Sequence, residues 1–99
     1  MAEIEVRASE GICYVTGELD LASADEFYRL VVALADPSRE VILDVSALTF
    51  TDSTGMRAIV RLASSCRHGV VLRHPRPAVQ KVFDIVQMDR VTGLRVEPG

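Results

Sequence analysis

The chain has 99 residues, 48 % apolar and 25 % charged, with 6 Gly and 4 Pro. That is the usage of one small globular domain, not of a disordered, collagen-like or low-complexity chain. Eleven basic against fourteen acidic side chains leave a net charge of −3, which argues against a general nucleic-acid binder with its basic surplus.

In chain order, Ile4, Val6 and Ala8 alternate with Glu5 and Arg7 as a half-buried strand does. The turn Glu10-Gly11 joins it to a second strand, Ile12-Cys13-Tyr14-Val15-Thr16, so the first pair is expected as a hairpin broken off at Gly17-Glu18-Leu19-Asp20. Phe27, Leu30, Val31 and Leu34 then form one helical stripe, with Ser23 and Glu26 as a candidate capping box and Asp36-Pro37 as the stop. The run Val41-Ile42-Leu43 with Val45 reads as a strand covered on both faces. A second helix carries Met56, Ile59, Val60 and Ala63, with Arg67-His68 in its last turn and Gly69 just beyond. Val70-Val71-Leu72-Arg73 is a further strand, and His74-Pro75-Arg76-Pro77 a stiff connector. Val79, Val82, Phe83 and Val86 mark a third helix, and Gly93-Leu94-Arg95-Val96-Glu97 a last short strand. The order is ββαβαβαβ. It predicts an α/β sandwich: a small mixed sheet, antiparallel in its opening pair and parallel through right-handed crossovers thereafter, with the helices on one face.

No catalytic fingerprint is complete. There is no Gly-x-Gly-x-x-Gly, no Walker loop, no Gly-x-Ser-x-Gly and no His-Glu-x-x-His. Asp44 and Asp52 have nothing local to set them apart as an acid and a base. His68 and His74 are expected on the surface, and Cys66, His68 and His74 lack the second cysteine pair of a convincing zinc site, so neither metal nor cofactor is expected. Cys13 and Cys66 read as free, packed thiols of a reducing compartment. The charged opening Met1-Ala2-Glu3-Ile4-Glu5-Val6 is unlike a secretory leader, and no apolar run nears the ~18–20 residues of a membrane span. The expectation is a cytoplasmic protein.

The segment Thr49-Phe50-Thr51-Asp52-Ser53-Thr54-Gly55-Met56 stands apart, because it joins a strand to a helix where ligands and partners usually meet an α/β sheet. Asp52 or Ser53 can cap the helix. A Ser53 capping box would want Glu or Gln where Met56 stands, and Gly55 in the first turn implies that something approaches the backbone closely. A phosphate on Ser53 would sit favourably at the helix N-terminus. Arg57 and Arg61, four apart, are expected to project together, either as a solvated face or towards an acidic patch on a partner.

Gly17-Glu18-Leu19-Asp20, Leu43-Asp44-Val45 running on to Asp52-Ser53-Thr54-Gly55-Met56, and Pro77-Ala78-Val79 with Val82-Phe83 together resemble the STAS domain. More narrowly, they resemble the single-domain anti-sigma factor antagonists of bacteria, over about Ile4 to Val96. The resemblance implies one STAS domain across 1–99 and a partner switch. The unphosphorylated antagonist would bind an anti-sigma factor that is also a serine kinase, releasing sigma factor. Phosphorylation of Ser53 would end the complex, and a metal-dependent serine phosphatase would reset it. By the same resemblance Asp20, Asp52, Thr54 and Gly55 flank the partner-binding surface, and Met56 and Arg57, next along the helix, are expected to belong to it. The sequence has Met56 where the family usually has Leu, and it ends at Glu97-Pro98-Gly99 where relatives commonly continue into a closing helix. Two rival readings accompany the switch: a non-switching STAS subunit of a larger assembly, such as a signalling scaffold or a lipid-transport ATPase complex, and a hydrolase using Ser53 with His68 or His74. The second needs a base and an orienting third group that no motif supplies.

Overall fold

A computed structural model describes residues 4–97; Met1 to Glu3 of the opening stretch and the final Pro98-Gly99 lie outside the described residues. Five strands, β1 (Ile4–Ser9), β2 (Ile12–Leu19), β3 (Val41–Thr51), β4 (Val70–Arg73) and β5 (Leu94–Glu97), alternate with three helices after the opening hairpin. The helices are α1 (Ala24–Leu34), α2 (Ser53–Ser65) and α3 (Pro77–Ile85), and a short 3₁₀ turn follows at Met88–Arg90.

The strands lie in sequence order, β1-β2-β3-β4-β5. β1 and β2 are antiparallel, and β2 to β5 are parallel throughout. Each helical crossover therefore steps one strand in the same direction, and crossovers of one hand then stack all three helices on one face. The expected mixed sheet with one helical layer is what the chain forms.

The register shows how the faces divide. Cys13, Leu43 and Leu72 stand side by side on neighbouring strands, all buried. They share one core with Phe27 and Val31 of α1, Ile59 and Leu62 of α2, and Val79 and Phe83 of α3. One residue further along, a row of opposite character crosses the other face: Arg7, Tyr14, Asp44, Arg73 and Glu97. β3 is thus covered by helices on one side only, in place of the two-sided cover expected from its apolar run. Its other side carries Ile42 and Asp44, both half-buried.

β3 is also longer than expected. It pairs with β2 through two register shifts, one between Tyr14 and Thr16 and one between Gly17 and Glu18. Each shift places one extra β3 residue in the ladder, as a bulge does. Buried positions therefore fall at Val45, Leu48 and Thr51, three apart rather than two, and a strand with that spacing reads as a loop. β2 likewise runs on to Leu19, so Gly17 and Glu18 extend the strand where a break was expected.

Three helix boundaries need correction. Ser23 precedes α1, but its side chain makes no capping bond and no box forms with Glu26. Its hydroxyl is instead fully buried in the β2–α1 turn. α2 ends at Ser65 with Cys66 as its cap, so Arg67 and His68 lie beyond the last turn. α3 ends at Ile85, leaving Val86 outside the buried stripe, because Gln87 takes a left-handed conformation, φ 55°.

Candidate functional site

Two connections meet at the carboxyl ends of β2 and β3, the edge of an α/β sheet where ligands and partners gather. The first is the turn after β2. Asp20 Oδ1 accepts from the backbone N–H groups of Ala22 and Ser23 at 3.0 and 3.1 Å. The Ser23 hydroxyl donates to the Glu18 carbonyl at 2.7 Å and accepts from the Asp20 N–H at 3.0 Å. The turn is locked from within, and it holds Leu21 outwards, 78 % exposed.

The second connection is the step from β3 into α2. Asp52 is the N-cap; its Oδ1 accepts from the Gly55 N–H at 2.9 Å. The cap is therefore made by Asp52, and Ser53 is the first residue of the helix, with an exposed side chain. Among the described residues its hydroxyl has no hydrogen-bond partner. Thr54 is half-buried beside it, while Gly55 and Met56 are turned inwards. What approaches the Gly55 backbone is the chain itself. A Cβ at this position would overlap the Leu19 carbonyl oxygen and come within 2.7 Å of Thr51 Oγ1. Since Asp52 N–H also reaches the Leu19 carbonyl at 3.4 Å, the end of β2 and the start of α2 are fastened together, and the Asp20 turn is held near Ser53.

Behind Ser53, α2 borders a groove of about 430 Å³ whose far wall is the junction of α3 with the 3₁₀ turn. Met56, Val60, Val86 and Met88 form its apolar floor, and Arg57 and Arg61 its rim. Both arginines are exposed. Arg61 lies over the Tyr28 ring at 4.0 Å, and Tyr28 and Ser65 hydroxyls meet at 2.6 Å, tying α1 to α2. Ile85 at the end of α3 and Val86 just beyond it are uncovered apolar residues, where the helical stripe predicts Val86 as part of the buried face.

The other candidate residues are dispersed. Asp44 sits mid-strand on the open face, accepting from Ser46 N–H and hydroxyl at 3.0 and 2.6 Å, with no link to Asp52. His68 lies before β4 and His74 after it, both exposed, and no hydrogen bond joins either to Ser53 among the described residues. Those residues also contain no cluster of His, Cys, Asp or Glu able to hold a metal ion, and no helix among them is long and apolar enough to cross a membrane. Cys13 is buried and Cys66 half-buried, both free. Burial pushes both thiols up, and at Cys13 the neighbouring Cys66 adds to the shift.

The family model described as the STAS domain matches residues 1–98. The chain belongs to the STAS domain family. Among solved structures, a Thermotoga maritima protein described as a candidate anti-sigma factor antagonist superposes with a TM-score of 0.73. It is 17 % identical and covers 97 % of this chain and 86 % of its own. The anti-sigma factor antagonist SpoIIAA in its unphosphorylated form gives a TM-score of 0.62 at 16 % identity, covering 98 % of this chain and 89 % of its own. At those identities the likeness concerns the fold. The murine anion transporter Slc26a9 gives a TM-score of 0.72 at 26 % identity, over 94 % of this STAS chain but only 17 % of the transporter. Human solute carrier family 26 member 10P is 51 % identical over 70 residues, 63 % of this chain. The chain spans 12 % of the length of that relative.

Proposed function

We propose that this STAS domain is an anti-sigma factor antagonist, a binding module rather than an enzyme, switched by phosphorylation of Ser53. The observation that carries the reading is the unengaged, exposed hydroxyl of Ser53 at the first position of α2, with capping already done by Asp52. Family membership over residues 1–98 supports it. In this reading the unphosphorylated surface, with Asp20, Asp52, Thr54 and Arg57 around Ser53, binds an anti-sigma factor serine kinase and sigma factor is released. Gly55 and Met56 shape that surface from behind. The terminal phosphoryl group of ATP then passes to Ser53 Oγ, whose proton is lost as ADP departs. A metal-dependent phosphatase hydrolyses the ester and restores the hydroxyl.

One phosphate is enough for the switch. It adds about 1.5 to 2 negative charges at neutral pH to a chain of net charge −3. Two like charges ~4 Å apart at an effective dielectric of ~20 repel by ~4 kcal/mol. Half of that weakens binding by about 30-fold. A helix N-terminus tolerates the phosphate, so no refolding is required. The test is labelling with radioactive ATP by the cognate kinase. Wild type should be labelled and Ser53→Ala should not; equal labelling of the two removes Ser53 from the scheme.

The likeness to solute carrier family 26 proteins favours a second reading, a non-switching STAS module that serves a larger assembly. Co-purification with a permease or ATPase, unchanged by Ser53→Ala, would establish it, and isolation as a stable monomer would speak against it.

A further inference from the structure

We infer that the groove between α2 and the junction of α3 with the 3₁₀ turn takes an acidic amphipathic helix of a protein partner, and that phosphate on Ser53 closes it by engaging Arg57. The floor is apolar: Val86 is 39 % exposed, over the buried Met56 and Met88. The rim is cationic. Arg57 and Arg61 lie one turn apart along the same groove; neither joins an ion pair among the described residues, and Arg57 is the freer of the two, the Arg61 guanidinium being stacked on Tyr28 at 4.0 Å. An occupant must therefore bring apolar side chains flanked by carboxylates.

The walls decide the occupant's form. All the lining residues belong to α2, to the cap of α3 or to the 3₁₀ turn, whose backbone bonds are largely made within those elements. An added strand would need a free sheet edge, and none borders the groove. A helix needs only an apolar face with anchors at i, i+3 or i+4, and i+7. Two arginines on a chain of net charge −3 also fall well short of the ~4–8 clustered cations of an anionic-membrane site.

Ser53 connects the groove to regulation, and this half of the inference rests on the switch proposed above. Ser53 lines the same groove, and Arg57 follows it by four residues on α2, the spacing at which helix side chains meet. A phosphate there takes the Arg57 guanidinium through charge-assisted hydrogen bonds. The partner's carboxylates then lose one cation and face a new anion.

The test is selection from a phage-displayed library of random peptides of roughly 16 residues, a little over four turns, on the immobilised 99-residue chain. Recovered peptides should pair helical apolar spacing with Asp or Glu flanks. Their binding should weaken at least about tenfold, ~1.4 kcal/mol, on Val86→Asp and on Arg57→Glu, both exposed positions where circular dichroism should show the fold retained. Selection on the Arg57→Glu, Arg61→Glu variant should return peptides with Lys or Arg flanks. The groove assignment is overturned by peptides without acidic bias, by binding indifferent to Val86→Asp, or by a dimer of this chain that buries the groove. Selection needs neither kinase nor ATP, so failure of Ser53 labelling leaves it intact. Conversely, equal peptide binding by protein carrying phosphoserine at position 53 overturns closure by phosphate while the groove stands.

Discussion

Ser53 and Asp52 divide two tasks that adjacent hydroxyl and carboxylate side chains could each perform. Because Asp52 satisfies the Gly55 N–H, the serine is left free of structural duty, and the two residues should respond oppositely to substitution. Asp52→Ala should cost about 1 kcal/mol, a fall in Tm of ~4–8 °C for a domain this small, with Asp52→Asn retaining most of it. Ser53→Ala should stay within ~0.5 kcal/mol of wild type, as exposed positions without a special role do. Thermal unfolding of the three variants checks both; a Ser53→Ala variant as unstable as Asp52→Ala would put the cap on the wrong residue. Gly55→Ala should be the most damaging change in the segment. The added Cβ overlaps the Leu19 carbonyl oxygen, a backbone atom that cannot swing aside. Overpacking costs ~1–3 kcal/mol, and separating β2 from α2 here would also loosen the Asp20 turn. A Tm equal to wild type for Gly55→Ala would show that the close approach is not maintained in solution.

At the scale of elements, burial rather than hydrophobicity decides which apolar residues matter. Leu62 of α2 is wholly buried, whereas Ile85 at the end of α3 is 74 % exposed. Leu62→Ala should therefore lower stability by ~2–5 kcal/mol, while Ile85→Ala changes it by no more than ~0.5 kcal/mol; urea denaturation of both gives the comparison, and similar losses would contradict the placement of α3. The three helical stripes are legible in sequence because apolar residues at i, i+3, i+4 and i+7 can face one sheet only one way; the exceptions are the last members Leu34 and Val86, 44 % and 39 % exposed. The hairpin was legible from Glu10-Gly11, both of which take positive φ, 51° and 82°. What sequence hid were departures from period. The extra residues in β3 turn a strand of buried positions three apart into an apparent loop at Thr49 to Thr51. Gln87 ends α3 in a conformation that glycine usually signals, and so conceals both the 3₁₀ turn and the groove beside it. Ser23 carries the local pattern of a cap, but the carbonyl of Glu18 outcompetes the helix for its hydroxyl. Of the site, the Asp52-Ser53 step is readable because an apolar strand run lies before it and a helical stripe after it. Its groove was not, because Val86 and Met88 become neighbours of α2 only through tertiary packing.

For the whole molecule, a single helical layer leaves one sheet face without cover, and the chain answers with charge. Arg7 lies over Tyr14 at 5.3 Å. Across the other edge, Arg73 donates to Glu97 at 3.0 Å and Arg95 to the same carboxylate at 2.6 Å, while Arg95 also reaches Glu40 at 3.4 Å. The Arg73–Glu97 contact ties β4 to β5, and the Arg95–Glu40 contact ties β5 to the residue before β3, on the face the helices do not protect. They also place Val71, fully buried on that face, in register beside Arg95. Charges of both signs in register disfavour face-to-face association while keeping the strands paired. The arrangement makes stability depend on acid. The hydrogen bond from Arg73, followed by that from Arg95, holds the Glu97 carboxyl below the usual carboxylate range. A carboxyl lowered in the folded state stabilises it above the unfolded value, ~4.3 for Glu, and loses that contribution as pH falls through the folded value. Asp36, lowered chiefly by its bond from the Ser38 hydroxyl, adds a slope of the same sign. Urea midpoints measured from pH 7 down to pH 3 should therefore fall in wild type below about pH 4.3. They should fall less steeply in Glu97→Gln, which starts lower at pH 7 because its ion pairs are gone. The Arg73–Glu97 pair, about a third exposed, should keep more of its effect in salt than Arg39–Asp36, at 73 % and 57 %. If wild type and Glu97→Gln share one acid slope, the carboxylate does not hold β5 to β4, and the open face owes its stability to backbone pairing alone.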